Sequence, residues 1–118
     1  MLLADTSVWV EHFRRGEPTL ADHLSEGLVL KHPFVSGELA CGTLKMRAAV
    51  LSNLHALPTA KLASNTEVLQ LVEERRLWGR GLGWVDMHLL ASALLSHCGF
   101  WTLDKKLGAA ATELGLNW

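Results

Sequence analysis

Apolar residues in this chain come in short runs that alternate with stretches of helical period, and the alternation predicts a series of brief strands and helices. The opening MLLA reads as a short buried strand ending at Asp5. Ser7 to Arg14 then carries helical spacing through Val8 and Phe13 until Gly16 stops it. Pro18 suits the first turn of a helix from about Thr19 to Glu26, closed by Gly27. LVLK is expected to form a second strand, leading through Pro33 into a helix around Glu38. There Val35, Leu39 and Met46 are expected on one apolar face with Glu38 beside it.

Met46, Val50, Leu54 and Leu57 repeat at helical spacing up to the break at Pro58. A further helix is predicted over Asn65 to Trp78, with Val68, Leu71, Val72 and Leu77 inward and Glu73, Glu74, Arg75 and Arg76 as a solvated face. Gly79, Gly81 and Gly83 make GRGLGWVD a loop that delivers Asp86 to the next helix; their spacing departs from a phosphate-binding GxGxxG unit. The apolar pattern from His88 to Phe100 reads as a buried helix stopped by Gly99. FWTL then reads as a strand ending at Asp104, Lys105 to Glu113 as a helix, and LNW as a last strand. Short apolar strands alternating with helices imply an α/β fold with a mostly parallel sheet covered on both faces.

With 118 residues, 49% of them hydrophobic, the chain can bury one core and has no room for a second unit of ordinary size, so residues 1–118 are expected to form a single domain. No stretch approaches the roughly 20 apolar residues of a membrane span. MLLADTSVWV lacks the basic flank and apolar length of a secretory signal, and Cys41 and Cys98 are read as reduced core thiols. A cytoplasmic location follows as the expectation.

Four carboxylates stand where such a fold gathers side chains: Asp5 after the first strand, Glu38 within its helix, Asp86 ahead of LLASALL, and Asp104 after the FWTL strand. In a parallel sheet, ligands collect outside the carboxyl ends of the strands. Converging carboxylates raise one another's pKa and need a compensating cation, and an oxygen-only ligand set suits Mg²⁺ or Mn²⁺. The chemistry that follows is hydrolysis of a phosphodiester. Asp5, Asp86 and Asp104 are equally well placed to act as helix N-caps, whereas Glu38 has no such role. The formal charge of −1 argues against a dedicated nucleic-acid binder; with four of the 12 acids committed to a metal, however, 11 basic residues face 8 acidic ones.

The segments LLADTSVWVEHF, VSGELACG, WVDMHLLASAL and FWTLDKKL, in this order and spread over nearly the whole chain, resemble the PIN-domain proteins, and more closely the VapC-like toxin ribonucleases of type II toxin–antitoxin systems. The resemblance implies a three-layer α/β/α sandwich with a parallel sheet. Asp5, Glu38, Asp86 and Asp104 match the family's acidic quartet, implied to be both catalytic and metal-binding, with Mg²⁺ or Mn²⁺ serving cleavage of RNA. It further implies a homodimer and a VapB-like antitoxin. A catalytically idle module acting through protein or RNA binding, and a housekeeping RNA-processing nuclease, stand as alternatives.

Thr6, Ser7 and Thr102 adjoin the first and last acids and are read either as hydroxyls supporting the metal site or as local caps. Among Arg14, Arg15, Lys45, Arg47, Arg80, Lys105 and Lys106, candidates to hold the substrate backbone, Lys105 and Lys106 are favoured because they follow Asp104. Trp9 and Trp101 are expected to pack in the core or an interface; Trp84, in the glycine-rich loop, is expected either to pack or to flank the substrate opening. The six histidines form no zinc-binding pattern, and His88 is expected to be structural or exposed.

Overall fold

A computed structural model describes all 118 residues. The elements run β1 (Leu2–Ala4), α1 (Thr6–Arg15), α2 (Pro18–Ser25), β2 (Val29–Leu30), α3 (Pro33–Cys41), α4 (Arg47–His55), α5 (Asn65–Arg75), α6 (Trp84–Ser96), β3 (Gly99–Trp101) and α7 (Lys105–Glu113). The three strands form one parallel sheet in the order β2-β1-β3, with Leu3 opposite Leu30 on one side and Phe100 on the other. Successive strand residues point to opposite faces, yet Leu2, Leu3 and Ala4 are all at most 1% exposed. Both faces of the central strand are therefore covered, which is the layering of an α/β/α fold.

The core is a cluster of 25 buried apolar residues to which all ten elements contribute. One side is closed by α1, α3 and α4 packing on one another, and α5 packs along α6. Most helix starts are fixed locally. Pro18 and Pro33 occupy first turns, Ser64 and Glu67 form a reciprocal capping box on α5, and Asp5 and Asp104 cap α1 and α7.

Several boundaries differ from expectation. Met46 lies outside α3, in a left-handed conformation at the start of α4, and is 79% exposed, so it does not share the Val35–Leu39 face. Helix α5 ends at Arg75; Leu77 still reaches the core because Arg76 takes a left-handed conformation and turns the chain inward. Trp84 begins α6 instead of lying in the loop before it.

Helix α6 is ended by His97, not Gly99. Gly99 instead opens β3, where a side chain would collide with Trp118. The terminal LNW is not a strand: Phe100 donates to the Leu116 carbonyl at 2.9 Å, but no ladder continues. Cys98 is buried while Cys41 is exposed, so only one of the two thiols belongs to the core.

One polar group crosses this core. His32 caps α3 with Nδ1, which accepts the Phe34 N–H at 3.0 Å, so the neutral ring carries its proton on Nε2 and donates to Ser92 Oγ of α6 at 3.1 Å. His32 is 2% exposed, and burial, aided by His88, pushes its pKa down to about 4. A proton added at Nδ1 would face the Phe34 N–H and break the cap.

Between about pH 6.5 and 4 the unfolded chain therefore binds a proton at His32 that the folded chain refuses, and stability falls as pH falls. From the size of the shift, wild-type protein should lose about 2 kcal/mol more than His32→Asn between pH 7 and pH 5, measured by urea unfolding. Asn retains a capping oxygen without the titration. Equal losses in the two proteins would refute the assignment.

Candidate active site

All three strands point the same way, so their carboxyl ends form one rim, and Asp5 stands at its centre directly after β1. Its N–H donates to the Trp101 carbonyl at 3.0 Å, which fixes it against the end of β3. Helix α3 leaves the rim after β2. Helix α6 runs back toward the opposite edge, where β3 begins, leaving its N-terminus and Asp86 at the rim. Helix α7 starts there too, at Asp104.

Asp5 is 7% exposed, and both of its oxygens are engaged. Oδ1 accepts from the Ser7 N–H at 3.1 Å, the Ser7 hydroxyl, and the Val8 N–H at 3.4 Å; Oδ2 accepts from the Thr102 hydroxyl at 2.7 Å. Ser7 Oγ also accepts the Leu103 N–H at 3.0 Å, and Thr102 Oγ1 accepts the Asp104 N–H at 3.0 Å. These two hydroxyls tie the first acid to the loop that carries the last. Burial holds the Asp5 carboxyl above its ordinary pKa despite the hydrogen bonds from Ser7, Thr102 and Val8 that pull it down. No basic side chain forms an ion pair with it.

Glu38 is exposed on α3 and accepts from the Thr6 hydroxyl at 3.0 Å, which brings it to the residue beside Asp5. Asp86, half-buried in the first turn of α6, accepts from the Gly83 N–H at 2.9 Å. Asp104 accepts from the Leu107 N–H at 2.9 Å. Asp5 and Asp104 are thus helix N-caps, as the plainer sequence reading allowed; Asp86 instead lies inside the first turn of α6, with Gly83 at the N-cap, and Glu38 caps no helix. Thr6, Ser7 and Thr102 all bond to one of the four acids.

The structure links Asp5 to Glu38 through Thr6 and to Asp104 through Thr102. No three acidic, histidine or cysteine side chains converge closely enough to enclose an ion as they stand. In donor type the set fits a hard divalent cation: it is all oxygen, and Glu38 Oε2, Asp86 Oδ1 and Asp104 Oδ2 each lack a hydrogen-bond partner. The buried Asp5 carboxylate has no ion-pair partner.

Of the basic candidates, Arg80 is consumed by a forked pair with Glu113, at 2.6 and 2.9 Å, that ties the glycine-rich loop to the end of α7. Lys105 and Lys106 are exposed in the first turn of α7. Lys106 lies along Gly81, where an added Cβ would come within 3.0 Å of its Nζ. This contact brings the Asp104 and Asp86 segments together.

Trp84 is 43% exposed and meets His88 edge-on, with ring centroids 4.7 Å apart. His88 proves buried, also against Phe34, and its Nε2 has no hydrogen-bond partner. The His32–Ser92 bracket joins the helices bearing Glu38 and Asp86; its signal in the sequence is a histidine directly before a helix-starting proline.

No protein-family model matches the chain. Two curated relatives are each 47% identical over 117 residues, covering 98% of this chain and 94% of their own length: Ribonuclease VapC32 from Mycobacterium tuberculosis strain CDC 1551 / Oshkosh, and Ribonuclease VapC32 from strain ATCC 25618 / H37Rv.

Because Asp5 holds an uncompensated buried charge, Asp5→Asn, which keeps a capping oxygen, should be at least as stable as wild type at pH 7 in EDTA. Thr102→Val, which strips Asp5 of a donor, should cost about 1–3 kcal/mol. Denaturant unfolding of both variants checks this, and marked destabilisation by Asp5→Asn would contradict the electrostatic assignment.

Proposed function

The chain belongs to the VapC family of ribonucleases, and on that premise we propose that it is a divalent-metal-dependent endoribonuclease of PIN type, acting as the toxin of a toxin–antitoxin pair. The observation that supports this best is Asp5: a buried carboxylate at the end of the central strand, without a cationic partner, followed by Thr6, whose hydroxyl donates to Glu38, and bonded to the Thr102 hydroxyl, which accepts the Asp104 N–H.

In this reading Asp5, Glu38, Asp86 and Asp104 are the catalytic acids and hold Mg²⁺ or Mn²⁺, directly or through water. A cation bound there supplies charge neutralisation at the phosphate and an acidified water. The remaining work belongs to the chain. Thr6 restrains the exposed Glu38 carboxylate, and Ser7 and Thr102 orient Asp5. The N-termini of α6 and α7 present their positive dipole ends at the rim, favouring an anionic phosphate over bulk water. The family also carries the proposals of a VapB-like antitoxin partner and a homodimeric assembly.

Purified antitoxin-free protein should give discrete products from a total-RNA panel with Mg²⁺ or Mn²⁺ and none with EDTA. Glu38→Gln and Asp104→Asn should each lower cleavage at least about a hundredfold while remaining folded. Cleavage that survives EDTA and both substitutions would overturn the metal mechanism. A folded wild type that cleaves nothing across the panel would favour a binding module.

A further inference from the structure

A cleft of about 500 Å³ opens beside Glu38, between α1 and the end of α3 with the turn that follows. Its α1 wall is the ridge Thr6, Val10 and Arg14, spaced four residues apart and so aligned on one helix face over roughly 12 Å. Its other wall begins at Glu38 and ends at Lys45. The acid-site residues Thr6 and Glu38 thus lie at one end of each wall, and a cation lies at the other.

Arg14 and Lys45 are exposed and neither makes an ion pair or a side-chain hydrogen bond. Of the other basic candidates, Arg80 pairs with Glu113, Arg15 with Glu11, and Arg47 with the Ala40 carbonyl, while Lys105 and Lys106, also unpaired, stand on α7 and do not line this cleft. Between Arg14 and Lys45 at one end and the acids at the other, the cleft offers the apolar surfaces of Val10, Phe13 and Leu44, of which Val10 is 40% exposed. Cations that follow a strand, beside apolar surface for its bases, are what unpaired nucleic acid requires. The cleft is of small-ligand size, which admits a few unpaired nucleotides and excludes a duplex.

We propose that this cleft is the path of the single-stranded RNA substrate away from the scissile phosphate, with Arg14 and Lys45 each binding a backbone phosphate on one side of the cut. This rests on the ribonuclease reading of the acid site, and it moves the main substrate contact from Lys105 and Lys106 to the opposite flank of the rim.

The test uses Asp5→Asn protein, expected on the ribonuclease reading to bind without cutting, and fluorescein-labelled single-stranded RNA of a sequence cleaved by the wild type. Fluorescence anisotropy across a NaCl series gives affinity and its salt slope. Adding Arg14→Ala and Lys45→Ala should weaken binding about tenfold or more, and should reduce the slope of log K against log salt by about 1.4, the value for two lost phosphate contacts on a single strand. Loss of a merely structural contact would leave the slope unchanged. Replacing Arg75, exposed at the end of α5, by alanine should change neither quantity. A single methylphosphonate placed in turn at the linkages near the cut should weaken Asp5→Asn binding at one or two positions, all on one side, and have no effect there in the Arg14/Lys45 variant.

Unchanged affinity and slope would overturn the path while leaving the nuclease reading intact. So would a variant that binds RNA normally but binds the antitoxin poorly, which would assign the cleft to the protein partner. RNA neither bound by Asp5→Asn nor cleaved by wild type would overturn both.

Discussion

The molecule depends on the parallel pairing of a three-residue central strand with neighbours on both sides. Leu2 to Ala4 meet Val29–Leu30 and Gly99–Trp101 in register, and every residue of β1 is buried. Parallel neighbours require crossover connections, and the helices that make them supply both covering layers of the core. The same pairing puts the chain exits after β1, β2 and β3 on one rim. Asp5, the start of α3 and the Thr102–Asp104 loop are neighbours for that reason, not through any attraction between like charges.

At that rim, the carboxylates proposed for the chemistry also serve the fold. Asp5 and Asp104 cap the helices they precede, and Asp86 reaches back to the Gly83 N–H; contributions of this kind are worth about 1 kcal/mol each. Asp5 also carries the cost of burial, which lifts its pKa and which hydrogen bonds from Ser7, Thr102 and Val8 only partly offset. A cation at the rim would relieve that cost and recruit the oxygens of Glu38, Asp86 and Asp104 that have no hydrogen bond. Metal binding and stability are then coupled, with Asp5 as the residue where the two demands conflict.

Much of this was legible from residue order. The strand ending before Asp5, the α7 boundaries at Lys105 and Glu113, and the proline-started helices follow from local rules of capping, period and turn chemistry. What was not legible depends on contacts far apart in sequence. Gly99 looked like a helix stop because the nearby approach of Trp118 is invisible locally, and LNW looked like a strand although it makes only one bond to Phe100. Thr6 adjoins Asp5 in sequence but bonds Glu38, and Thr102 lies two residues before Asp104 but donates to Asp5; both pairings needed the fold. The pairing of Arg80 with Glu113 likewise joins residues 33 apart.

The central claim is that the four carboxylates form one cation site. The direct measurement is anomalous diffraction from crystals of the wild-type protein soaked in Mn²⁺. The account predicts an anomalous peak at the rim, bonded directly or through water to Asp5, Glu38, Asp86 and Asp104, with Asp104 or Asp86 turned from its backbone cap toward the ion. An empty rim at saturating Mn²⁺, with all three aspartates still capping their helices, would contradict it.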